Sequence, residues 1–218
     1  MFDIRQSRRA LWLIVQDFLN LLFALFGAPE EIAARHTLAR AHWALLAKWL
    51  RAGEALMRQL LLIEAAQLPK PNVRPSLCSK RACKRRPVCF GADTPETWRV
   101  SFRALLPDRR RLAGGDAGSP GKARRPRLSR EARWSCADFR PQSFHSAWPL
   151  AERAEALLRV FNDPLPYAKR LARRLFATPH RAGALLQHPP DAPALVGAEH
   201  FAASSAAAHA ARRRFDTS

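Results

Sequence analysis

The sequence contains few of the residues and motifs that carry enzyme chemistry. It has a single tyrosine, only nine glycines and four cysteines in 218 residues. Cysteine this sparse does not suit a disulfide framework, so we expect reduced thiols in a cytoplasmic protein. The nucleophile-elbow, P-loop, dinucleotide-binding and H-E-x-x-H patterns are all missing from the sequence. We therefore predict a protein that is not an enzyme and that needs no cofactor.

The spacing of cysteine and histidine does not favour a metal site. The cysteines lie at positions 78, 83, 89 and 136, with basic residues between the first three. Structural zinc sites usually pair cysteines two to four residues apart, so free thiols are the favoured interpretation. His36 and His42 are six residues apart and do not share the helix face that an i, i+4 metal pair needs. We predict no metal site.

Lysine is also scarce, with six residues against 31 arginines. The formal net charge is nevertheless +19. Residues 70–148 carry 19 basic and six acidic side chains, which is +13 of this net charge. A basic surplus of this size favours binding to polyanions. The codon bias of a GC-rich bacterial genome gives the same composition, so a solvated linker without a binding role remains an alternative interpretation.

The longest apolar run spans residues 10–27 and nearly reaches the roughly 20 residues that a membrane span needs. Gln16, Asp17 and Asn20 interrupt it and fall on one helix face. This pattern predicts an amphipathic helix with a wide apolar face, packed against the next helix. The alternative is a peripheral or single-pass membrane protein, associated with the inner membrane and anchored by residues 10–27.

A second helix is predicted from Pro29 to about Gln67, after a stop at Gly27. Its apolar residues form two adjacent rows, a coiled-coil-like seam wider than a two-stranded coiled coil requires. We predict that the seam holds the first helix and a further partner, either another protein or a second copy of the chain. The residues assigned to the partner-helix seam are Trp43, Leu46, Trp49, Leu50, Leu56, Met57 and Leu60. The charged residues predicted on the opposite, outer face are Arg40, Lys48, Arg51, Glu54 and Arg58.

The middle of the chain, residues 69–148, is rich in Arg, Pro, Gly and Ser, a composition typical of a poorly ordered linker. Residues 96–106 alternate apolar and polar side chains and predict one possible short strand. The predicted polyanion contacts are Lys80, Arg81, Lys84, Arg85, Arg86, Arg124, Arg125 and Arg127. Trp98, Trp134 and Phe139 lie among the basic runs and are candidates for stacking on bases. An anionic membrane surface would suit the same residues.

Two amphipathic helices are predicted at residues 149–162 and 166–177, with Arg170, Arg173 and Arg174 on the outer face of the second. Their proline-containing connection favours a plain helical hairpin over a helix-turn-helix. A weaker helix is predicted over residues 198–214. The predicted class is all-α: a helical hairpin or bundle at 8–68, a basic linker at 69–148, a helical pair at 149–178 and a low-complexity Ala/Pro/His-rich tail at 179–218. The predicted role is a non-enzymatic interaction protein whose Arg-rich segment contacts nucleic acid without reading its sequence.

Overall fold

The computed structural model describes residues 4–70, 93–98, 100–102, 104 and 144–216. These residues form seven α-helices, two short 3-10 helices and one two-stranded antiparallel ladder, which confirms the all-α class. The α-helices are α1 (Ile4–Phe26), α2 (Pro29–Ala34), α3 (Arg40–Gln67), α4 (Trp148–Asn162), α5 (Pro164–Ala177), α6 (Ala192–Val196) and α7 (Ala198–Asp216). The strands are β1 (Thr37–Ala39) and β2 (Phe144–Ser146), and the 3-10 helices are Pro95–Thr97 and Pro179–Leu186.

The connection between α1 and α2 follows the predicted stop and restart. Gly27 has a φ of 88°, and its N–H donates to the carbonyl of Phe23 at 2.8 Å. Glycine adopts this left-handed conformation at low cost, which explains why the helix ends there. Pro29 lies in the first turn of α2, and Glu30 and Glu31 follow it where the helix dipole favours negative charge.

The prediction of one continuous helix from Pro29 to Gln67 was wrong. The chain leaves the helix after Ala34, and His36 has a φ of 53°. Residues 37–39 then pair with 144–146, and the N–H of Ala147 donates to the carbonyl of His36 at 2.9 Å. Pairing with a segment more than a hundred residues away replaces the helical hydrogen bonds here, and this interaction leaves no periodic signal in the local sequence.

The prediction of a short strand at 96–106 was also wrong for the residues that the structure describes. Residues 95–97 form a 3-10 helix, and 98, 100–102 and 104 are in no strand. Trp98 is buried with an exposure of 2%, and its ring centroid lies 4.9 Å from that of Trp148. Arg159 donates to the carbonyls of Pro95 and Glu96 at 2.6 and 3.1 Å. Packing and hydrogen bonds to α4, rather than a second strand, therefore hold this segment.

Helix α3 lies at the centre of the fold. Residues 55–63 are buried without exception, so this part of the helix has no solvent face. A helix buried all round needs neighbours on every side, and α1, α4, α5, α6, α7 and the 3-10 helix at 179–186 all contact it. The buried side chains of both ends of the chain form one hydrophobic core around α3.

Candidate polyanion-binding surface

Most of the predicted partner-helix seam lies in this core. Leu46, Leu50, Leu56, Met57 and Leu60 are buried. The two tryptophans are half-buried and contact aromatic side chains: Trp49 stacks on Phe18 with centroids 5.6 Å apart, and Trp43 lies 5.3 Å from His145. The helices that contact the seam belong to the same chain. Binding of another protein or of a second copy through α3 stays a prediction.

The eight predicted polyanion contacts lie outside the described residues. These are Lys80, Arg81, Lys84, Arg85, Arg86, Arg124, Arg125 and Arg127. Trp98 is described, and its burial against Trp148 leaves its ring no face on which a base could stack, so this part of the prediction was wrong. Trp134 and Phe139 also lie outside the described residues.

Helix α5 presents a stripe of four cations to solvent. Lys169, Arg170, Arg173 and Arg174 are all exposed, as the helical periodicity predicts for the arginines. The opposite face of the helix is buried through Ala168, Leu171, Ala172 and Leu175. The helix contains no acidic residue, and within the described part of the chain no carboxylate lies at salt-bridge distance from these four cations. We call these four residues the α5 stripe.

Further arginines lie near the C-terminal end of the α5 stripe. The rings of Phe176 and Phe215 are in edge-to-face contact at 5.1 Å, which places the end of α7 beside the end of α5. Arg212 and Arg213 precede Phe215 in the last turns of α7. Arg214 instead donates to the carbonyls of Ala66 and Leu68 at the end of α3. Arg212 and Arg213 therefore lie on a helix end that contacts the end of α5.

A charge cluster, in which Arg58 is buried and Glu54 and Arg153 are partly buried, joins α3 to α4. The Nη2 of Arg58 lies 3.3 Å from Oε2 of Glu54, and the Nε of Arg153 donates to Oε1 of the same carboxylate at 2.7 Å. Burial lowers the pKa of the Arg58 guanidinium, and the Glu54 carboxylate opposes that shift. The prediction that Arg58 lies on an outer face was wrong. The i, i+4 spacing of Glu54 and Arg58 is visible in the sequence, whereas the bridge to Arg153 is not.

A second polar contact inside the fold joins α3 to α7. The hydroxyl of Ser204 donates to Oε1 of Gln59 at 2.7 Å, and both side chains are buried. Further along α3, Gln67 accepts a hydrogen bond on its Oε1 from Arg8 of α1 at 2.8 Å. The same arginine lies 3.4 Å from Glu64. Both contacts hold helices from distant parts of the chain in register on α3. Neither assembles a group with catalytic potential.

Among the described residues, no group of three or more His, Cys, Asp or Glu side chains is close enough to bind a metal ion. The four cysteines lie outside the described residues. In the same part of the chain, one stretch, Arg8–Ala34, which covers most of α1 and all of α2, is long and apolar enough to cross a membrane by length and composition alone. Comparison of the chain with protein-family models, curated proteins and solved structures finds no match.

Proposed function

We propose that the protein is a non-enzymatic helical protein that binds nucleic acid through its phosphates, without reading the base sequence. The observation that carries this proposal is the α5 stripe. Four cations share one exposed face of a helix that has no acidic residue. Lysine and arginine bind phosphates in this way through charge and counterion release, which carries no sequence information.

The geometry of the stripe suits a phosphate backbone. Residues 169 and 174 are five positions apart, which is about 7.5 Å along a helix axis. One DNA strand has a phosphate about every 3.4 Å along the duplex axis, so this length of helix matches about two nucleotides of rise. The buried face of α5 fixes the helix on the core, so binding has to order the four side chains but not the backbone that carries them. The basic segment 70–148 adds charge to the same polyanion interaction.

The test compares salt dependence in two variants that lose the same charge. The first replaces all four residues of the α5 stripe with glutamine. The matched control replaces four exposed arginines on other elements, Arg9, Arg35, Arg40 and Arg51, with glutamine. Fluorescence anisotropy with labelled 20-base-pair duplexes of two unrelated sequences is measured over a series of KCl concentrations.

Each phosphate contact contributes about −0.9 to the slope of log affinity against log salt. Loss of four contacts should therefore make the slope shallower by up to about 3.6 for both duplexes, while the control variant stays close to the unmodified protein. An equal loss in both variants would show that net charge alone matters. An unchanged affinity in the stripe variant would reject α5 as the binding surface.

The role of the middle segment needs substitution rather than deletion. Removing 70–148 would also remove β2, Ala147 and Trp98, which the structure places in the ladder and in the core. Glutamine at the eight predicted contacts between Lys80 and Arg127 retains those residues. When these substitutions are added to the stripe variant, the slope of log affinity against log salt should become shallower still if the segment binds phosphate. An unchanged slope would mean that the segment is only a linker.

A second candidate function is membrane attachment through α1. Leu13, Leu21 and Leu25 are exposed on this helix, beside the exposed Asp17. Leaving the core to span a membrane would uncover its buried face, so we propose interfacial attachment for this candidate. Fractionation tests it: Asp17→Leu should increase the membrane-bound fraction that detergent, but not high salt, releases. Recovery of both forms in the soluble fraction would reject this candidate.

A further inference from the structure

A groove of about 450 Å³ lies between α1, α2, β1 and the first half of α3. Its apolar lining includes Phe26, Ile32, Leu46 and Trp49, which come from three different helices. A volume of this size is within the range of small-molecule sites, which are mostly apolar with a few polar groups. We call it the α1–α3 groove.

The rim of the α1–α3 groove exposes apolar surface that the described residues leave uncovered. Leu25 and Leu45 line the groove and remain 55% and 47% exposed. Scattered exposed leucines are ordinary on a protein surface, but these two belong to different helices and line the same concavity, where they form an apolar wall. This wall suits a hydrocarbon chain lying along the groove.

An arginine, Arg35, and a histidine, His42, also line the groove. Both are exposed, and in the described part of the chain neither has a carboxylate partner at salt-bridge distance. Arg35 lies between α2 and β1, and this arginine supplies the positive charge at the groove. A ligand with an apolar tail and an anionic head would satisfy both parts of the lining.

We propose that the α1–α3 groove binds a single-chain fatty-acid-type carboxylate. The hydrocarbon chain packs on Phe26, Leu46 and Trp49, and the carboxylate pairs with Arg35. Guanidinium binds carboxylate well because its planar donors match the two oxygens. This binding is independent of the α5 stripe, which lies on another helix and does not line the α1–α3 groove.

The experiment is isothermal titration calorimetry of the full chain with dodecanoate, kept below its micelle concentration. Dodecyltrimethylammonium, with the same tail and the opposite charge, is titrated in parallel. Shorter carboxylates of six, eight and ten carbons give the dependence on chain length. Each further methylene that becomes buried should raise the affinity about fourfold.

Three exposed positions supply the variants. Arg35→Gln removes the rim charge, and Leu45→Glu puts a carboxylate on the rim. Arg51→Gln is the matched control, because this exposed arginine is on α3 but does not line the groove. Far-UV circular dichroism and a thermal melt confirm that each variant keeps the fold.

We expect one saturable site for dodecanoate and at least tenfold weaker binding of the ammonium compound. Arg35→Gln should weaken dodecanoate binding about three- to fivefold, the range for an exposed ion pair, and Leu45→Glu should weaken it further. Arg51→Gln should leave it unchanged. Equal losses in Arg35→Gln and Arg51→Gln, a stoichiometry well above one, equal binding of the two head groups, or no saturable heat would each overturn the proposal.

Discussion

Glu54 lies between two arginines, and replacing it with glutamine measures how much the buried charge of Arg58 depends on its partner. The Arg58 side chain is 8% exposed, and that of Glu54 is 20% exposed. Glutamine keeps the shape and one carbonyl oxygen but removes the negative charge. The Arg58 guanidinium then stays inside the core with no carboxylate at salt-bridge distance in the described part of the chain.

Breaking a buried ion pair by removing one partner typically costs about 3–5 kcal/mol. The contact of Glu54 with Arg153, which is 32% exposed, adds no more than about 1 kcal/mol, since solvent screens such pairs. Because glutamine still accepts one hydrogen bond, we expect Glu54→Gln to lower the free energy of unfolding by about 3 kcal/mol. In a chain of this size that corresponds to a decrease in Tm of about 6–12 °C.

Urea unfolding followed by far-UV circular dichroism measures this loss, provided that the slope against urea stays constant. Two variants serve as controls. Arg153→Gln should lower the free energy of unfolding by about 1 kcal/mol or less, because Glu54 keeps its ion pair with Arg58. The double replacement Glu54→Leu with Arg58→Met should be more stable than Glu54→Gln, since apolar side chains of similar volume remove both charges from the core. A Glu54→Gln protein within 0.5 kcal/mol of the unmodified one would refute the reasoning.

Two other positions give simple tests of the helix packing. Gly53→Ala should lower the Tm, because the new Cβ would lie 2.7 Å from Cε1 of Phe18. The overpacking cost of about 1–3 kcal/mol exceeds the gain in helix propensity of about 1 kcal/mol. A raised Tm would show that α1 can move away from α3. Arg214→Met should increase amide hydrogen exchange in the last turns of α3 and α7, because the carbonyls of Ala66 and Leu68 lose a charged donor. Unchanged exchange at both ends would contradict the capping role.

The helices that depend on local signals could be predicted from the sequence. Gly27 and Pro29 mark the end of α1 and the start of α2, and the apolar spacing of 149–162 and 166–177 gives α4 and α5. The exposed face of α5 follows from the same periodicity. These features depend on residues within one or two turns of each other, so a single sequence contains them.

The interactions across the chain could not be predicted in this way. The break at His36 depends on pairing with residues 144–146, and the burial of Arg58 depends on helices that follow it by ninety residues or more. Charged residues at 54 and 58 have the pattern of a solvated helix face, and only the packing of α4 over them turns that face inward. The α1–α3 groove is likewise formed by residues of several elements and has no sequence signature.

The contacts of Arg8 and Arg214 bear on whether the helices could follow one another in a different order along the chain. Arg8, near the start of α1, and Arg214, in the last turn of α7, both donate hydrogen bonds to the last residues of α3. The first and last helices thus meet at one corner of the molecule. A circular permutant that links α7 to α1 and opens the chain between residues 104 and 144 would retain every helix pair around α3. We therefore expect such a permutant to reach the same packing around α3, with its helices synthesised in a different order.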